Sequence, residues 1–174
     1  MKKALLIYWP KGGNVEYAAG KIADLAGEEV EVKTTLLTDV TAELLQSYTN
    51  LIVGGSTVGS HVWEEASDSY KWGDFFKLLD QVDLKNKVVA FFGLGDQILY
   101  PNHFVDGLGI FEEQFSKRGA NITGRWPVEG YQFTESEGVK DGMFFGLALD
   151  EDHQSELTEE RIKNWLKQIS ADFR

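Results

Sequence analysis

The chain contains no cysteine. Disulfides and thiolate chemistry are therefore excluded, and any redox work has to come from a bound cofactor. Its 3 histidines, His61, His103 and His153, share no metal-ligand spacing, which argues against a metal site. Positive charge is also short, with 17 Lys plus Arg against 28 Asp plus Glu and a net charge of −11. So negative a surface repels phosphate backbones and anionic lipid, so neither nucleic acid nor membrane is an expected partner. It suits docking on a basic protein surface. No apolar run approaches bilayer-spanning length. Met1 to Trp9 lacks a small-residue cleavage site and reads as a first strand, so a cytoplasmic protein is expected. No G-x-S-x-G elbow of a hydrolase is present.

What the sequence does contain is a core. At 174 residues and 43% hydrophobic content, one well-buried domain spanning 1–174 is expected. Apolar runs without alternation recur at Ala4 to Trp9, Leu51 to Gly54 and Val88 to Phe92, the pattern of strands covered on both faces. Val30 to Thr34 reads as a shorter strand. Helical spacing falls at Glu16 to Ala26, Trp72 to Gln81 and Phe104 to Arg118, with Phe104, Leu108, Phe111 and Phe115 on one face. Thr41 to Gln46 reads as a short helix. A last helix runs from Glu159 to about Ile169, with Leu157-Thr158 as its expected cap and acids in its first turn. Alternating strands and helices predict right-handed crossovers and a doubly wound α/β sheet. One passage breaks the rhythm. Asn121-Ile122 looks like a short strand, but Gly124 to Met143 reads as a long loop before Phe144 to Leu149 resumes as strand. Structureless loops of that length are usually functional.

Three strand exits carry the candidate chemistry. After the first strand come Pro10, Lys11, Gly12, Gly13, Asn14 and Val15, a glycine turn into a helix whose amides can form an anion nest. A turn into a capped helix would have the same sequence. After the third strand comes Ser56-Thr57-Val58-Gly59. After the fourth, Phe92-Gly93-Leu94-Gly95-Asp96-Gln97 leads to Tyr100 beside Pro101. Strands emptying into glycine turns with polar and aromatic groups are how open α/β sheets build ligand crevices.

These residues resemble the flavodoxin family, long-chain type. The resemblance is carried by Phe92 to Gln97, Tyr100, Phe104-Val105-Asp106, Trp126, Gly130-Tyr131, Phe133, and the tail Gly146 to Asp152 through Leu157-Thr158 and Arg161-Ile162. It spans nearly the whole chain. It implies a flavodoxin-like three-layer sandwich, with a five-stranded parallel sheet in order 2-1-3-4-5, the fifth strand interrupted by a long loop. It also implies FMN at the carboxyl ends of the strands and single-electron shuttling between redox proteins. The implied partners are a ferredoxin-type reductase or a ferredoxin-dependent oxidoreductase, docking on an acidic surface, with the carrier a monomer. Glu64, Glu65, Asp68 and Asp74 are the candidate docking acids, equally readable as a solvated face.

The resemblance assigns the loops. Pro10 to Val15 stand where the family rings the FMN phosphate with hydroxyls, and every one of those hydroxyls is missing here. Lys11 offers a charge and Asn14 a side-chain amide in their place. Val58 stands where a tryptophan covers the inner flavin face, leaving that face to Trp63 or His61, or to neither if Trp63 packs beneath the loop. Val58-Gly59 matches the family's flipping peptide near the flavin N5, because glycine tolerates positive φ. Tyr100 stacks on the outer face, Gly93, Leu94, Gly95 and Asp96 line the pyrimidine edge, and His103 replaces a frequent asparagine. The implied function is that of an electron carrier rather than a catalyst of its own reaction. The loss of loop hydroxyls motivates the alternative, a flavodoxin-like interaction or regulatory protein that has lost or weakened FMN binding.

Overall fold

The side chains of β3 (Asn50–Gly55) and β4 (Val88–Leu94) are buried from end to end, and this fixes the centre of the molecule. The computed structural model describes residues 1–58 and 66–174, with side chains at all of these except 66–70. Around the two central strands lie β1 (Lys2–Trp9), α1 (Gly13–Leu25), β2 (Val30–Leu36), α2 (Ala42–Gln46), α3 (Ala66–Leu78) and α4 (Gly107–Ser116). The second half adds β5 (Asn121–Thr123), β6 (Trp126–Pro127), β7 (Val139–Lys140), β8 (Met143–Phe144), β9 (Leu147–Leu149) and α5 (Thr158–Asp172).

The main sheet is parallel in the order β2-β1-β3-β4, and both β5 and β9 lie against β4. The expected order, 2-1-3-4-5, is thus found, with the fifth position shared. β5 pairs with Val88 to Ala90 and β9 with Phe92 to Leu94. Successive side chains leave a strand on opposite faces, so each central strand feeds two cores. Leu5, Ile7, Leu51, Val53, Val89 and Phe91 enter one core with α2, α3 and α4. Ala4, Leu6, Ile52, Val88, Ala90 and Phe92 enter the other with α1 and α5. Gly54 pairs with Phe92 in register, and a Cβ there would lie 2.0 Å from the Phe92 ring. The missing side chain is what lets that ring lie across β3.

Segment 124–146 is more ordered than its sequence suggests. β6, β8 and β7 form a small antiparallel sheet of three strands. Phe144 belongs to that sheet and not to the strand that resumes at Leu147. Behind it Tyr131, Phe133, Phe104 and Phe144 form an aromatic cluster with ring centroids 5.0–5.8 Å apart. The Tyr131 hydroxyl donates to the Ala148 carbonyl (2.6 Å) and accepts from Trp126 Nε1 (2.9 Å), and the Arg161 guanidinium lies 4.0 Å over its ring. So the insertion is fastened to β9 and α5. The thin core of a two-residue strand leaves no periodic signal to read.

Several helix starts differ from expectation: α1 begins at Gly13 and not Glu16, and α3 at Ala66 and not Trp72. α4 begins at Gly107, because Val105 takes φ of +49° and turns the chain after Phe104. Thr158 is the first residue of α5 rather than its cap, and Leu157 caps without a side-chain bond. The Thr158 hydroxyl instead donates to Glu151. Thr41 does cap α2, accepting the Leu44 amide at 3.1 Å.

Burial pushes the Tyr131 phenol up to about 12, from an ordinary value of 10.0. A raised phenol contributes stability that is fully present below about pH 10 and is lost as pH rises through the folded value. Tyr131→Phe is therefore expected to lower stability at neutral pH by about 1–3 kcal/mol, through the lost bonds to Ala148 and Trp126. It should also flatten the fall in stability between pH 10 and 12 in urea unfolding run at a series of alkaline pH values.

Candidate functional site

Strand register brings the candidate loops together. Trp9 pairs with Gly55, Gly55 with Gly93, and Leu94 with Leu149. The exits of β1, β3, β4 and β9 therefore leave the carboxyl edge of the sheet side by side. At roughly 4.8 Å per strand, the first three loops span only about 10 Å.

The loop after β1 makes its turn with Gly12 and Gly13 at φ of +81° and +68°. Nothing lies within 4 Å of where a Cβ would stand on either. Lys11, Gly12, Gly13 and Asn14 are exposed, Pro10 follows a cis peptide and is half-buried, and the Val15 side chain points into the core. Gly12 caps α1 without any side-chain bond, so the first-turn amides of α1 keep their donors for an anion. One amide is already used. Gly12 N–H donates to Glu16 Oε2 (3.1 Å), and the Tyr8 hydroxyl donates to Glu16 Oε1 (3.0 Å). Burial and this neighbouring carboxylate raise the Tyr8 phenol. The arrangement is the backbone half of a capping box, supplied one residue late. The sequence signal for it was an acid four residues past the glycine.

The loop after β3 leads inward. Ser56 and Thr57 are half-buried, and Val58 is 5% exposed, sitting against Gly107 at the start of α4. Gly59, His61, Trp63, Glu64 and Glu65 lie outside the described residues, as does the side chain of Asp68. Asp74 is exposed on α3.

The loop after β4 is the most thoroughly fastened. Gly93 and Leu94 are buried strand residues. The Gly95 amide is not open to a ligand, because it donates to the Leu149 carbonyl (3.0 Å) and extends the ladder with β9. Asp96 Oδ1 accepts from the amides of Ile98 (3.1 Å) and Leu99 (2.8 Å) and from His153 Nε2 (2.8 Å). These bonds, the Leu99 amide foremost, hold the Asp96 carboxyl below the usual carboxylate range. The turn they close presents Ile98, Leu99 and Tyr100 at 54%, 66% and 58% exposure. His103 pairs with Asp106 (2.9 Å) at the far end.

Segment 124–146 supports this loop from behind. The Pro101 carbonyl accepts the amides of Thr134 (2.7 Å) and Glu135 (2.9 Å), and Asp106 Oδ1 accepts the Glu137 amide (2.8 Å). Beneath the loop is Asp150, with 0% exposure. It is neither solvated nor a cap of α5. One oxygen accepts from Gln97 N (3.1 Å) and Gln97 Nε2 (2.9 Å), the other from the amides of Asp152 (3.1 Å) and His153 (3.0 Å). Gln97 Oε1 in turn accepts the Gln132 amide. Gln97 and Gln132 carried no local signal of these roles, since Gln97 meets Asp150 across 53 positions and Gln132 meets Gln97 across 35, whereas the Asp152 and His153 amides reach Asp150 from two and three residues away. Among the described residues no cluster of His, Asp or Glu could hold a metal.

Asp150→Ala would strand four donors, two of them in the turn that leads to Tyr100. A loss of about 3–5 kcal/mol is expected in urea unfolding. Asp150→Asn, which keeps one acceptor oxygen, should fall between that variant and the original chain.

A sequence model of the flavodoxin family matches residues 6–165. The chain is 40% identical to a flavodoxin of a Nostoc species over 176 aligned residues, covering 99% of this chain and 98% of that one. It is also 40% identical to flavodoxin 1 of Escherichia coli over 162 residues, covering 92% and 89%. Among solved structures, the FMN-bound flavodoxin of Fusobacterium nucleatum superposes with a TM-score of 0.86 at 26% identity, over 100% of both chains. By sequence and by fold alike, the chain belongs to the flavodoxin family.

Proposed function

We propose that residues 1–174 act as one domain that binds FMN and carries single electrons between redox proteins. The observation that carries this reading is the alignment of Trp9, Gly55 and Gly93. It sets an open anion cradle and an exposed tyrosine turn on one edge of a parallel sheet. The donor set fits the cofactor. Uncapped amides of Gly13, Asn14 and Val15, with the Lys11 ammonium and the Asn14 amide, would take the phosphate in place of hydroxyls. Ser56, Thr57, Val58 and Gly59 would border the flavin on the β3 side. Gly93, Leu94, Gly95 and Asp96 would set the depth of its pyrimidine edge, with His103 beyond and Tyr100 against the outer face. When bound, FMN would supply the one-electron chemistry that a chain without cysteine lacks.

The protein's own part is to bind, orient and expose. Ile98, Leu99 and Tyr100 form an apolar knuckle at the rim. A partner can desolvate it, while the surplus of acids steers a basic surface toward it. Docking of a basic redox protein there follows, with the chain as a monomeric carrier and not a catalyst. None of the described helices is long and apolar enough to cross a membrane, in keeping with a carrier that diffuses between partners in the cytoplasm.

Titration of the apo-protein with FMN should quench flavin fluorescence saturably at one FMN per chain. Absence of saturation would transfer the fold to an interaction or regulatory role without FMN. Tyr100→Ala is expected to weaken FMN by about 1–3 kcal/mol, the scale of aromatic stacking on a base. The same titration reads it, and unchanged affinity would mean that the ring does not stack.

A further inference from the structure

The turn that presents Tyr100 is closed by one carboxylate oxygen with three donors. Two are backbone amides, which never titrate. The third is His153 Nε2, 2.8 Å from Asp96 Oδ1, in a pair whose side chains are 38% and 17% exposed. The backbone of His153 is itself fixed, because its amide donates to the buried Asp150. The ring is therefore held at its root by the β9 exit and reaches across to the β4 exit. His103, at the other end of the same loop, makes a similar contact to Asp106 but is 72% exposed. Water screens such a pair to little effect. The two histidines differ in burial, and only His153 shares its acceptor with the turn amides.

We propose that His153 is a proton-sensitive positioning residue, whose imidazolium holds the Asp96 turn in the shape that receives the flavin. This rests on the FMN reading. A charged imidazole always donates from Nε2, whereas the neutral ring does so in one tautomer only. Protonation also makes the contact with the Asp96 carboxylate an ion pair, adding attraction between opposite charges to the hydrogen bond. Losing the proton therefore loosens Asp96 and, through it, the amides of Ile98 and Leu99 that precede Tyr100.

Among the described residues, charged groups stand at the β4 exit, at the β9 exit and on α5. From the β4 exit comes Asp96, and from the β9 exit Asp150, Glu151 and Asp152. Asp150 is occupied by Gln97 and two amides, and Glu151 by the Thr158 hydroxyl. From α5 comes Arg161, which is engaged by Gln154 Oε1 and the Tyr131 ring. Asp152 is exposed to water, and among the described residues Asp96 is the carboxylate that the His153 ring contacts. Flavin affinity should accordingly be highest with His153 charged, and should fall as pH rises through its titration.

The variant that separates charge from hydrogen bonding is His153→Gln, whose amide donates to Asp96 and does not titrate. FMN dissociation constants are measured for both proteins from pH 5.5 to 8.5. Taking their ratio cancels the titration of the FMN phosphate itself. The ratio of original chain to variant should rise by about 3- to 10-fold across that range, a coupling of ordinary size for linked sites. A ratio that stays constant overturns the proposal. A second readout needs no flavin. In NMR spectra of the apo-protein, the Ile98 and Leu99 amide signals should titrate with the midpoint of the His153 ring and stay flat in the variant. Amides that ignore the His153 midpoint overturn the proposal. Amides that follow it in a protein showing no saturable FMN binding would uphold the positioning role of His153 and overturn the FMN reading instead.

Discussion

A buried carboxylate is the constraint from which the site is built. Asp150 has no exposure and four donors. An ionised group in such a place is tolerable only when its lone pairs are all answered. The donors come from two different strand exits, so the two exits can lie only where all four converge. Gln97 then relays the same requirement to Gln132 in segment 124–146. Loop, insertion and last strand are thereby spaced by one charge that has nowhere else to go.

The sequence was most legible where burial is two-sided. Apolar runs at Leu51 to Gly54 and Val88 to Phe92 announced β3 and β4, and the phenylalanines around Phe111 announced the inner face of α4. Legibility ended where order comes from pairs instead of periods. β6, β7 and β8 are two residues each, too short for any alternation. Their stability comes from the Tyr131, Phe133 and Phe144 cluster, and sequence spacing does not disclose it. Thr158 looked like a cap because its type favours that role, yet its hydroxyl found Glu151. The loops at the sheet's edge were readable as glycine turns. The bonds that shape them, such as Gln97 to Asp150 across 53 positions, were not.

The two ends of the site are built on different physics. The loop after β1 carries no hydroxyl from Pro10 to Val15, and what it presents is backbone, helix end and Lys11. Glu16 already takes the Gly12 amide and answers part of the positive potential at the start of α1. In the loop after β4 every support is specific: Asp96, Gln97, Pro101 and Asp106 each hold a named partner.

The division of the fifth sheet position between β5 and β9 bears on something other than electron transfer. A long, flat, unpaired strand edge is a template on which another chain can add itself. On one side of this sheet the edge is broken into two three-residue pieces with segment 124–146 rising between them. On the other side β2 places Glu31 and Lys33 outward in its exposed row. The broken margin offers no long run of backbone that a second copy could extend, and on β2, the seven-residue strand at the other end of the sheet, the charges of Glu31 and Lys33 oppose such pairing, so the architecture that seats the ligand loops also works against edge-to-edge self-association.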